Sequence, residues 1–298
     1  MTNIVIIPTQ GFCNRLRAIA SAYILSKHLH SNLFVIWNPE ESCNCHLTDI
    51  ITNQFNTINI QTIHQSNNYL FAPDVHTNNL LHLLHHKNPD YLVIQGGHEF
   101  KHPDMSVISF IQQKSIFYQS LQFTHTIQQI VDSTDSSNCV GIHYRDFIPK
   151  YDASDGRDFS KTSPLNQFVD IIKQMYLQNN DRKFFLSSNT INAYSQLSLF
   201  IPNENIIMLK DIDTERNSSR GVIDAVANLL VLSKCKYIIG TLMSSYSDEA
   251  CFFNLISKLC IGDEDIQSYH CYGFTKIFDH KMLLPNTNIL CDIYKDKQ

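Results

Sequence analysis

The chain has 298 residues, of which 43% are hydrophobic and 17% charged, and its formal net charge is −5. This composition supplies enough apolar material for a folded core and excludes a largely disordered chain. The acidic balance argues against non-specific nucleic-acid binding, and no run approaches the roughly 20 apolar residues of a membrane span. The length is typical of two packed domains of about 150 residues each.

Strands and helices are predicted in alternation through the first half of the chain. Strands are predicted at 3–8, 33–37 and 91–94, and helices at 13–29 and over most of 105–131. The apolar run at 3–8 lacks the basic flank and the length of a signal peptide, so we expect a cytoplasmic protein. A turn-rich polar stretch at 132–138 is the predicted boundary between two halves.

The second half repeats the same alternation. Strands are predicted at 139–144, 183–187, 206–209 and 236–240, and helices at 164–177, near 190–200, at 220–234 and from about 247. Ser163 is expected to cap the helix that Pro164 opens. Alternating strands and helices predict an α/β fold with two Rossmann-type doubly wound domains and a cleft between them. The predicted domains are 1–132 and 133–275, followed by a tail at 276–298 that packs back on the first domain.

Two short segments carry potential metal ligands, namely Cys43-x-Cys45-His46 and His82-x-x-His85-His86. The first lacks a second ligand pair at zinc-site spacing, and the second has no partner carboxylate or cysteine. No metal site is therefore predicted. The nine cysteines are an odd number without a secretory signal, and we expect reduced thiols.

Ligands of open parallel sheets bind beyond the carboxyl ends of the strands, where helix N-termini favour anions. The first segment at such a position is 11–17. Its single glycine, Gly11, excludes a dinucleotide fingerprint and a P-loop. Asn14 either faces a ligand or caps backbone amides, and Arg15 and Arg17 are either ligand-binding or solvated.

The second segment is the strand end at His143, Tyr144, Arg145 and Asp146. The fork of an arginine placed there can bind a phosphate through two parallel charge-assisted hydrogen bonds. The alternative is that Arg145 pairs with an aspartate of the acid-rich loop at 150–158.

The third segment follows the strand at 236–240, where Ser244 and Ser245 could hold a phosphate at a helix N-terminus. The alternative is a capping box formed by Ser245 and Asp248. Asp248 and Glu249 would also oppose an anion on the helix axis.

The fourth segment is a polar stripe. Arg220, Asp224 and Asn228 recur every four residues along one predicted helix, which places them on one face. The alternative is an ordinary solvated face.

The motifs occur in an order that resembles the GDP-fucose-dependent fucosyltransferase superfamily, which includes the α-1,6-fucosyltransferases and the protein O-fucosyltransferases. They are Gly-x-Cys-Asn-Arg-Leu-Arg at 11–17, His-x-Arg at 143–145, Arg-Gly-x-Ile at 220–223, Leu-Ser-x-Cys at 232–235, and Ile-Gly-Thr followed by Ser-Ser-x-Ser at 239–247. The resemblance covers roughly 3–50 and 139–255. It implies a GT-B-like, inverting, metal-independent glycosyltransferase that transfers L-fucose from GDP-fucose to a glycan or another hydroxyl acceptor without a cofactor.

The resemblance also implies roles for individual residues. Arg145 matches an arginine on the donor β-phosphate, and His143 matches a residue near the nucleotide. Ser244 and Ser245 match a serine pair at the pyrophosphate, and Asn14 matches a position facing the reacting centre. Gly11, Arg220 and Asn228 complete the predicted donor-binding set, and Arg145, Asn14 and Asp146 form the predicted catalytic set.

The chain departs from the family pattern at two positions. Asn228 stands where relatives commonly carry an aspartate that contacts the nucleoside, so a different nucleotide sugar stays open as the donor. Asp146 stands where the α-1,6 enzymes have a second arginine, so the acceptor of those enzymes does not predict the acceptor of this chain. A non-catalytic nucleotide- or glycan-binding homologue is a further alternative. The general base is undecided among Asp146, Asp152, Asp155 and Asp158.

Overall fold

The structure, a computed structural model, describes residues 2–66, 68–73, 89–146, 158–242 and 244–262. The chain divides into two compact units. The first contains Met1–Gln128 and Asp213–Val226, and the second contains Gln129–Ile212 and the chain from Ala227 onward. The division after Gln128 lies near the predicted one at 132–133, but 213–226 groups with the first unit. The predicted tail at 276–298 lies outside the described residues.

The first unit is built on a four-stranded parallel sheet with the strand order β2-β1-β4-β3. Its strands are β1 (Asn3–Pro8), β2 (Leu33–Val35), β3 (Tyr69–Pro73) and β4 (Tyr91–Gly96). Its helices are α1 (Phe12–His28), α2 (Ile60–Gln65) and α3 (Val107–Gln119), and α4 (His125–Asp132) leads out of the unit. The central strand β1 is buried almost throughout, as expected for a strand covered on both faces.

The second unit is built on a five-stranded parallel sheet with the strand order β7-β6-β5-β8-β9. Its strands are β5 (Val140–Tyr144), β6 (Phe184–Ser188), β7 (Ile206–Ile207), β8 (Tyr237–Thr241) and β9 (Ser257–Ile261). Its helices are α5 (Phe159–Thr162), α6 (Leu165–Gln178), α7 (Asn192–Leu197) and α9 (Ser245–Asn254). The helix α8 (Ser219–Ser233) begins in the first unit and ends in the second.

Both faces of the second sheet are covered by helices. On one face, Ile142 and Tyr144 of β5 belong to a buried cluster with Phe168 and Ile172 of α6. On the other face, α8 lies so close to β5 that a Cβ added at Gly141 would lie 2.8 Å from Leu232 Cδ1. The predicted α/β class, with parallel doubly wound sheets, is therefore confirmed. The cleft predicted between the domains stays a prediction.

Two strands and one helix cap differ from the sequence-based expectation. The edge strands β3 and β9 were not expected, because β3 contains Pro73 and β9 carries Lys258 within its apolar run. The expected Ser163 cap of α6 is wrong. Pro164 occupies the N-cap position, and the buried Ser163 hydroxyl accepts a hydrogen bond from the Leu242 N–H at 3.0 Å. Ser163 thereby ties the start of α6 to the end of β8.

Two further findings concern the described helices and cysteines. None of the described helices combines the length and apolar character that a bilayer span requires. All of the cysteines within the described ranges are buried free thiols, in keeping with the expectation of reduced cysteines.

Candidate functional site

The site of the second unit begins where β5 and β8 end side by side. The Arg145 N–H donates to Thr241 Oγ1 at 2.9 Å, and the Thr241 hydroxyl donates to the His143 carbonyl at 3.2 Å. Thr241 is fully buried, so this bridge is shielded from water. The threonine of the Ile-Gly-Thr motif therefore fixes the backbone from which the Arg145 side chain departs.

The Arg145 guanidinium lies over the Phe159 ring, 3.9 Å from its centroid. A cation in this position is attracted by the ring quadrupole, and stacking restricts the orientation of the planar fork. Phe159 is the first residue of α5 and is itself buried. The alternative pairing of Arg145 with an aspartate of the loop at 150–158 stays open, because residues 147–157 lie outside the described residues.

His143 is buried inside the second unit and its ring stacks on Tyr246, with 5.0 Å between the ring centroids. Burial lowers the pKa of His143 to about 3, and the positive charges of Lys258 and Arg145 contribute in the same direction. The imidazole is therefore neutral at physiological pH. Its Nδ1 atom is buried and makes no hydrogen bond to any described residue. Such an atom is costly unless a ligand or water satisfies it.

The packing of α8 on β5 places Asn228 at about the same height along the strand direction as His143. Its neighbour one helical turn later, Leu232, packs against Gly141, and the Ser136 hydroxyl near the start of β5 donates to the Val231 carbonyl. One turn back along α8 is about 6 Å, and two residues along β5 is about 6.6 Å. Both steps lead toward the carboxyl edge of the sheet, on the face that α8 covers.

The Asn228 side chain is buried, and its Oδ1 atom accepts no hydrogen bond from a described residue. The alternative of a solvated polar stripe is therefore wrong at this position. Asn228 and His143 each present an unsatisfied buried atom on the same face of the sheet. This pairing is what an interior ligand-binding surface requires.

Ser244 is the N-cap residue of α9, but its side chain makes no capping hydrogen bond. Its hydroxyl is fully buried and has no partner among the residues that the structure describes. The alternative capping box of Ser245 and Asp248 is wrong, because α9 begins at Ser245 and the Asp248 carboxylate accepts a hydrogen bond from Lys258. Ser244 thus leaves its hydroxyl available at a helix N-terminus, where an anion is favoured.

Asp248 does not carry an uncompensated charge at this terminus. Lys258 Nζ lies 2.6 Å from Asp248 Oδ1, and both side chains are almost completely buried. Lys258 also donates to the Thr241 carbonyl at 3.3 Å. The pattern of α9 predicted the opposing charge of Asp248, but not the lysine on the unexpected strand β9 that neutralises it.

Asp146 is held by the loop that follows β6. Its N–H donates to Asn189 Oδ1 at 2.8 Å, and Asn189 Nδ2 donates back to the Asp146 carbonyl at 3.1 Å. The Tyr144 and Thr190 hydroxyls each lie 3.4 Å from a carboxylate oxygen of Asp146. The Asp146 carboxylate therefore lies at the same sheet edge as Arg145, and the Asn189 side chain fixes the backbone of Asp146.

Asp158 has a structural role in the second unit. Its carboxylate accepts hydrogen bonds from the Ser160 N–H and hydroxyl, and it caps α5. These bonds and the nearby Lys161 lower the pKa of Asp158. A carboxylate of lowered basicity is a poor general base. Asp152 and Asp155 lie outside the described residues.

The site predicted in the first unit is organised around Gly97 and the loop that joins β1 to α1. Asn14 Nδ2 donates to Gln10 Oε1 at 2.6 Å, and Asn14 does not cap α1, whose N-cap is Gly11. A Cβ at Gly97 would lie 3.0 Å from Asn14 Cβ. Asn14 and Gly11 thus lie together at the carboxyl edge of the first sheet.

Arg15 and Arg17 are buried, so the alternative that they are solvated is wrong. Arg15 donates to the Gln10 carbonyl at 2.6 Å and to the Asn38 carbonyl at 2.7 Å, and it pairs with Glu40 at 3.2 Å. These bonds fasten the β1–α1 loop to the segment after β2. Arg15 is therefore a structural residue of the Asn-Arg-Leu-Arg motif.

Arg220 is 68% exposed and lies 3.4 Å from Asp224 in an (i, i+4) pair. Asp224, by contrast, is buried and accepts the Asp213 N–H at 2.9 Å. These two residues group with the first unit, whereas Asn228 groups with the second. The predicted stripe is thus one exposed cation followed by two buried polar residues.

The possible metal ligands near Cys43 are not assembled into a site. Within the described ranges, no three His, Cys, Asp or Glu side chains come together as a metal-binding group. Burial raises the pKa of Cys43 to about 12, which disfavours the thiolate that a metal requires. His82, His85 and His86 lie outside the described residues.

Comparisons with known proteins give matches to solved structures only. No family model and no curated protein matches the sequence. A mutant of Arabidopsis thaliana FUT1 in complex with GDP matches with a TM-score of 0.58 at 11% identity, over 87% of this chain and 70% of that one. NodZ α-1,6-fucosyltransferase, soaked with GDP-fucose, matches with a TM-score of 0.56 at 13% identity, over 85% and 93%. POFUT1 in complex with GDP-fucose gives 0.51 at 9% identity, over 88% and 98%.

The chain has a fucosyltransferase-like fold. The resemblance that the motifs indicated is confirmed at that level, including the GT-B-like α/β class. Within this fucosyltransferase-like fold, His143, Arg145, Ser244 and Asn228 lie near the carboxyl edge of the second sheet. Sequence reasoning missed Tyr246 and Lys258, since an aromatic residue in a helix and a lysine in a strand carry no motif signal on their own.

Proposed function

We propose that this chain is an inverting, metal-independent glycosyltransferase that transfers L-fucose from GDP-fucose to a hydroxyl of a glycan or another acceptor. The observation that carries the proposal is a group of three buried polar atoms without a hydrogen-bond partner among the described residues, namely His143 Nδ1, Asn228 Oδ1 and Ser244 Oγ. They lie at the carboxyl edge of a parallel sheet, where α/β proteins bind nucleotides. Solved structures of similar fold contain GDP or GDP-fucose, which supports this choice of donor.

The leaving group explains why Arg145 and Ser244 would be needed. When a sugar leaves a nucleoside diphosphate, negative charge grows on the pyrophosphate oxygen that held it. A fixed cation and oriented donors stabilise that charge by a few kcal/mol each. Arg145, held over Phe159, supplies the cation, and the Ser244 hydroxyl with the first amides of α9 supplies the donors. A neutral His143 can bind the donor without adding a titrating charge.

The acceptor hydroxyl must lose its proton as the new glycosidic bond forms. Of the described candidates, Asp146 fits better than Asp158, because Asp158 is engaged in capping α5 and has a lowered pKa. Asp146 adjoins Arg145, and its backbone is fixed by Asn189. Asp146 is thus the proposed base among these two.

The cytoplasmic location expected from the sequence stays a prediction.

Release of GDP from GDP-fucose, with and without glycan acceptors, tests the proposal. The wild-type protein is expected to release GDP, and Arg145→Ala is expected to lose at least about 100-fold in rate. The free energy of unfolding of Arg145→Ala should stay within about 1 kcal/mol of wild type, because Arg145 is only half-buried. Full turnover by a folded Arg145→Ala protein would contradict the role of Arg145. Binding of GDP-fucose without any turnover would favour a non-catalytic binding protein.

A second candidate donor is favoured by Asn228. An amide offers one acceptor and one donor side by side, whereas the carboxylate common in relatives only accepts. A carboxylate matches the two adjacent N–H donors of guanine, which uracil and thymine lack, whereas an amide also fits the donor beside an acceptor that uracil and thymine present. Asn228 therefore suits a UDP or dTDP sugar as well. Thermal shifts with GDP, UDP and dTDP distinguish these donors, since a ligand that binds only the folded state raises the melting temperature. Stabilisation by UDP or dTDP and not by GDP would replace GDP-fucose as the donor.

A further inference from the structure

The buried ion pair between Lys258 and Asp248 has no counterpart in the sequence motifs. It joins β9 to the first turn of α9 and is 2% exposed on each side. Gly240, the register neighbour of His143, leaves the space for it, because a Cβ there would lie 2.7 Å from Lys258 Cε. The glycine of the Ile-Gly-Thr motif thus accommodates a lysine directly behind the proposed donor site.

The position of Asp248 makes the pairing significant. A carboxylate in the first turn stabilises the positive end of a helix and therefore competes with any anion that binds there. Ser244, the N-cap of this helix, keeps a fully buried hydroxyl without a partner among the described residues. The structure therefore combines an N-terminus prepared for a ligand with an acidic residue that would repel an anionic one. Lys258 neutralises Asp248 and thereby removes the part of the repulsion that Asp248 would cause.

Lys258 is also connected to the Arg145 end of the site. Its ammonium donates to the Thr241 carbonyl, and the Thr241 hydroxyl accepts the Arg145 N–H. The lysine thus contacts both the strand end that positions Arg145 and the helix that carries Ser244.

We propose that Lys258 is a positioning residue for the donor pyrophosphate, which it serves by cancelling the charge of Asp248 behind the α9 N-terminus. The inference rests on the proposed function, since it requires an anionic ligand at Ser244. It differs from a purely structural ion pair in the direction of its effects. If the Lys258–Asp248 pair only stabilises the fold, removing either residue weakens ligand binding to a similar extent. If the charge matters, removing the lysine weakens anion binding and removing the aspartate strengthens it.

Calorimetric titration with inorganic pyrophosphate and with GDP tests this difference. Lys258→Met is expected to raise the Kd for pyrophosphate on the order of tenfold, since it leaves one additional negative charge near the ligand. Asp248→Asn is expected to lower that Kd. The double variant Lys258→Met/Asp248→Asn restores neutrality and should bind within about threefold of wild type. Guanosine, which carries no phosphate, should bind all of these proteins equally.

An exposed ion pair of the same unit provides a matched control. Lys234 and Asp132 lie 3.8 Å apart beyond the C-terminal end of α8, away from Ser244. Lys234→Met/Asp132→Asn should leave pyrophosphate and GDP binding unchanged. Circular dichroism and melting establish that each variant is folded. If Lys258→Met does not fold, Asp248→Asn and the double variant still give the direction of the effect.

Two outcomes overturn the inference in different ways. If wild type binds GDP but Asp248→Asn binds pyrophosphate more weakly than wild type, the pair is only structural and the proposed function stands. If wild type binds neither GDP nor pyrophosphate, both the inference and the proposed function fail.

Discussion

Leu232 packs against Gly141 so tightly that even a methyl group on the glycine would lie 2.8 Å from Leu232 Cδ1. Cys235, at the end of the same Leu-Ser-x-Cys motif, lies 3.2 Å from that position. Ser233 of the motif donates to the Leu230 carbonyl, and its own carbonyl accepts the Asn254 side chain. This motif, which resembles the superfamily in detail, therefore seats α8 on β5 and does not itself supply chemistry.

The glycine of the Arg-Gly motif has a similar structural purpose. A Cβ at Gly221 would lie 2.1 Å from the Glu215 carbonyl oxygen, which is backbone and cannot move aside easily. Gly221→Ala is therefore expected to lower the free energy of unfolding by about 2 kcal/mol or more. Chemical denaturation measures this change. Gly11→Ala is the control, because the nearest atom to its Cβ is 3.8 Å away, and it should cost less than about 1 kcal/mol. Equal losses in the two variants would contradict this account.

The fold was largely predictable because its strands and helices alternate with clear apolar periods. β9 could not be predicted, since Ser257 and Lys258 interrupt its apolar pattern and are buried only through tertiary contacts. The division between the units shows the same limit. The segment 213–226 groups with the first unit through contacts distant in sequence, such as the hydrogen bond from Asn44 Nδ2 to the Asn217 carbonyl.

The candidate site was predictable where one residue follows a strand, as Arg145 follows β5. It was not predictable where a role depends on burial. Arg15 and Arg220 are both arginines at helix starts, yet the first is buried and bonded to carbonyls while the second is 68% exposed. Spacing alone could not separate a buried structural arginine from an exposed one.

Ser244 and Ser106 are both N-cap serines, but only Ser106 makes the capping bond, accepting the Ser109 N–H at 3.1 Å. Ser106→Ala is expected to cost about 1 kcal/mol of stability. Ser244→Ala should cost almost none, because no hydrogen bond is lost, and should weaken GDP binding. Denaturation and GDP titration on both variants measure this contrast. A loss of stability in Ser244→Ala equal to that in Ser106→Ala would show that Ser244 is an ordinary cap.

His143 should make the protein sensitive to acid. Its pKa is about 3 in the folded chain and 6.5 for the unperturbed group, so below pH 6.5 the unfolded state binds a proton that the folded state does not. Stability is therefore complete above pH 6.5 and falls as pH drops toward 3. Between pH 7 and pH 5 this group contributes a loss of about 2 kcal/mol. Denaturation of wild type and His143→Gln at both pH values measures this loss, which should be about 2 kcal/mol smaller in the variant. An equal loss in the two proteins would contradict the burial of a neutral His143.

Asn228 provides a test in which stability and binding change in opposite directions. Its buried Oδ1 has no hydrogen-bond donor among the described residues, so Asn228→Leu removes an unsatisfied group and should raise the free energy of unfolding by about 1 kcal/mol. If a ligand satisfies that oxygen, the same variant should bind GDP about tenfold or more weakly. Denaturation and GDP titration measure the two changes.

Asn205 is the matched control for this prediction, since it is equally buried but its Nδ2 donates to the Asn180 and Arg182 carbonyls, each at 2.9 Å. Asn205→Leu leaves these two carbonyls without a hydrogen-bond donor and should lower the free energy of unfolding by about 2 kcal/mol, with GDP affinity unchanged. A structural asparagine and a ligand-binding asparagine thus differ in the sign of the stability change. If Asn228→Leu instead loses stability and keeps its affinity for GDP, Asn228 belongs to the packing of α8 and the nucleotide is bound elsewhere.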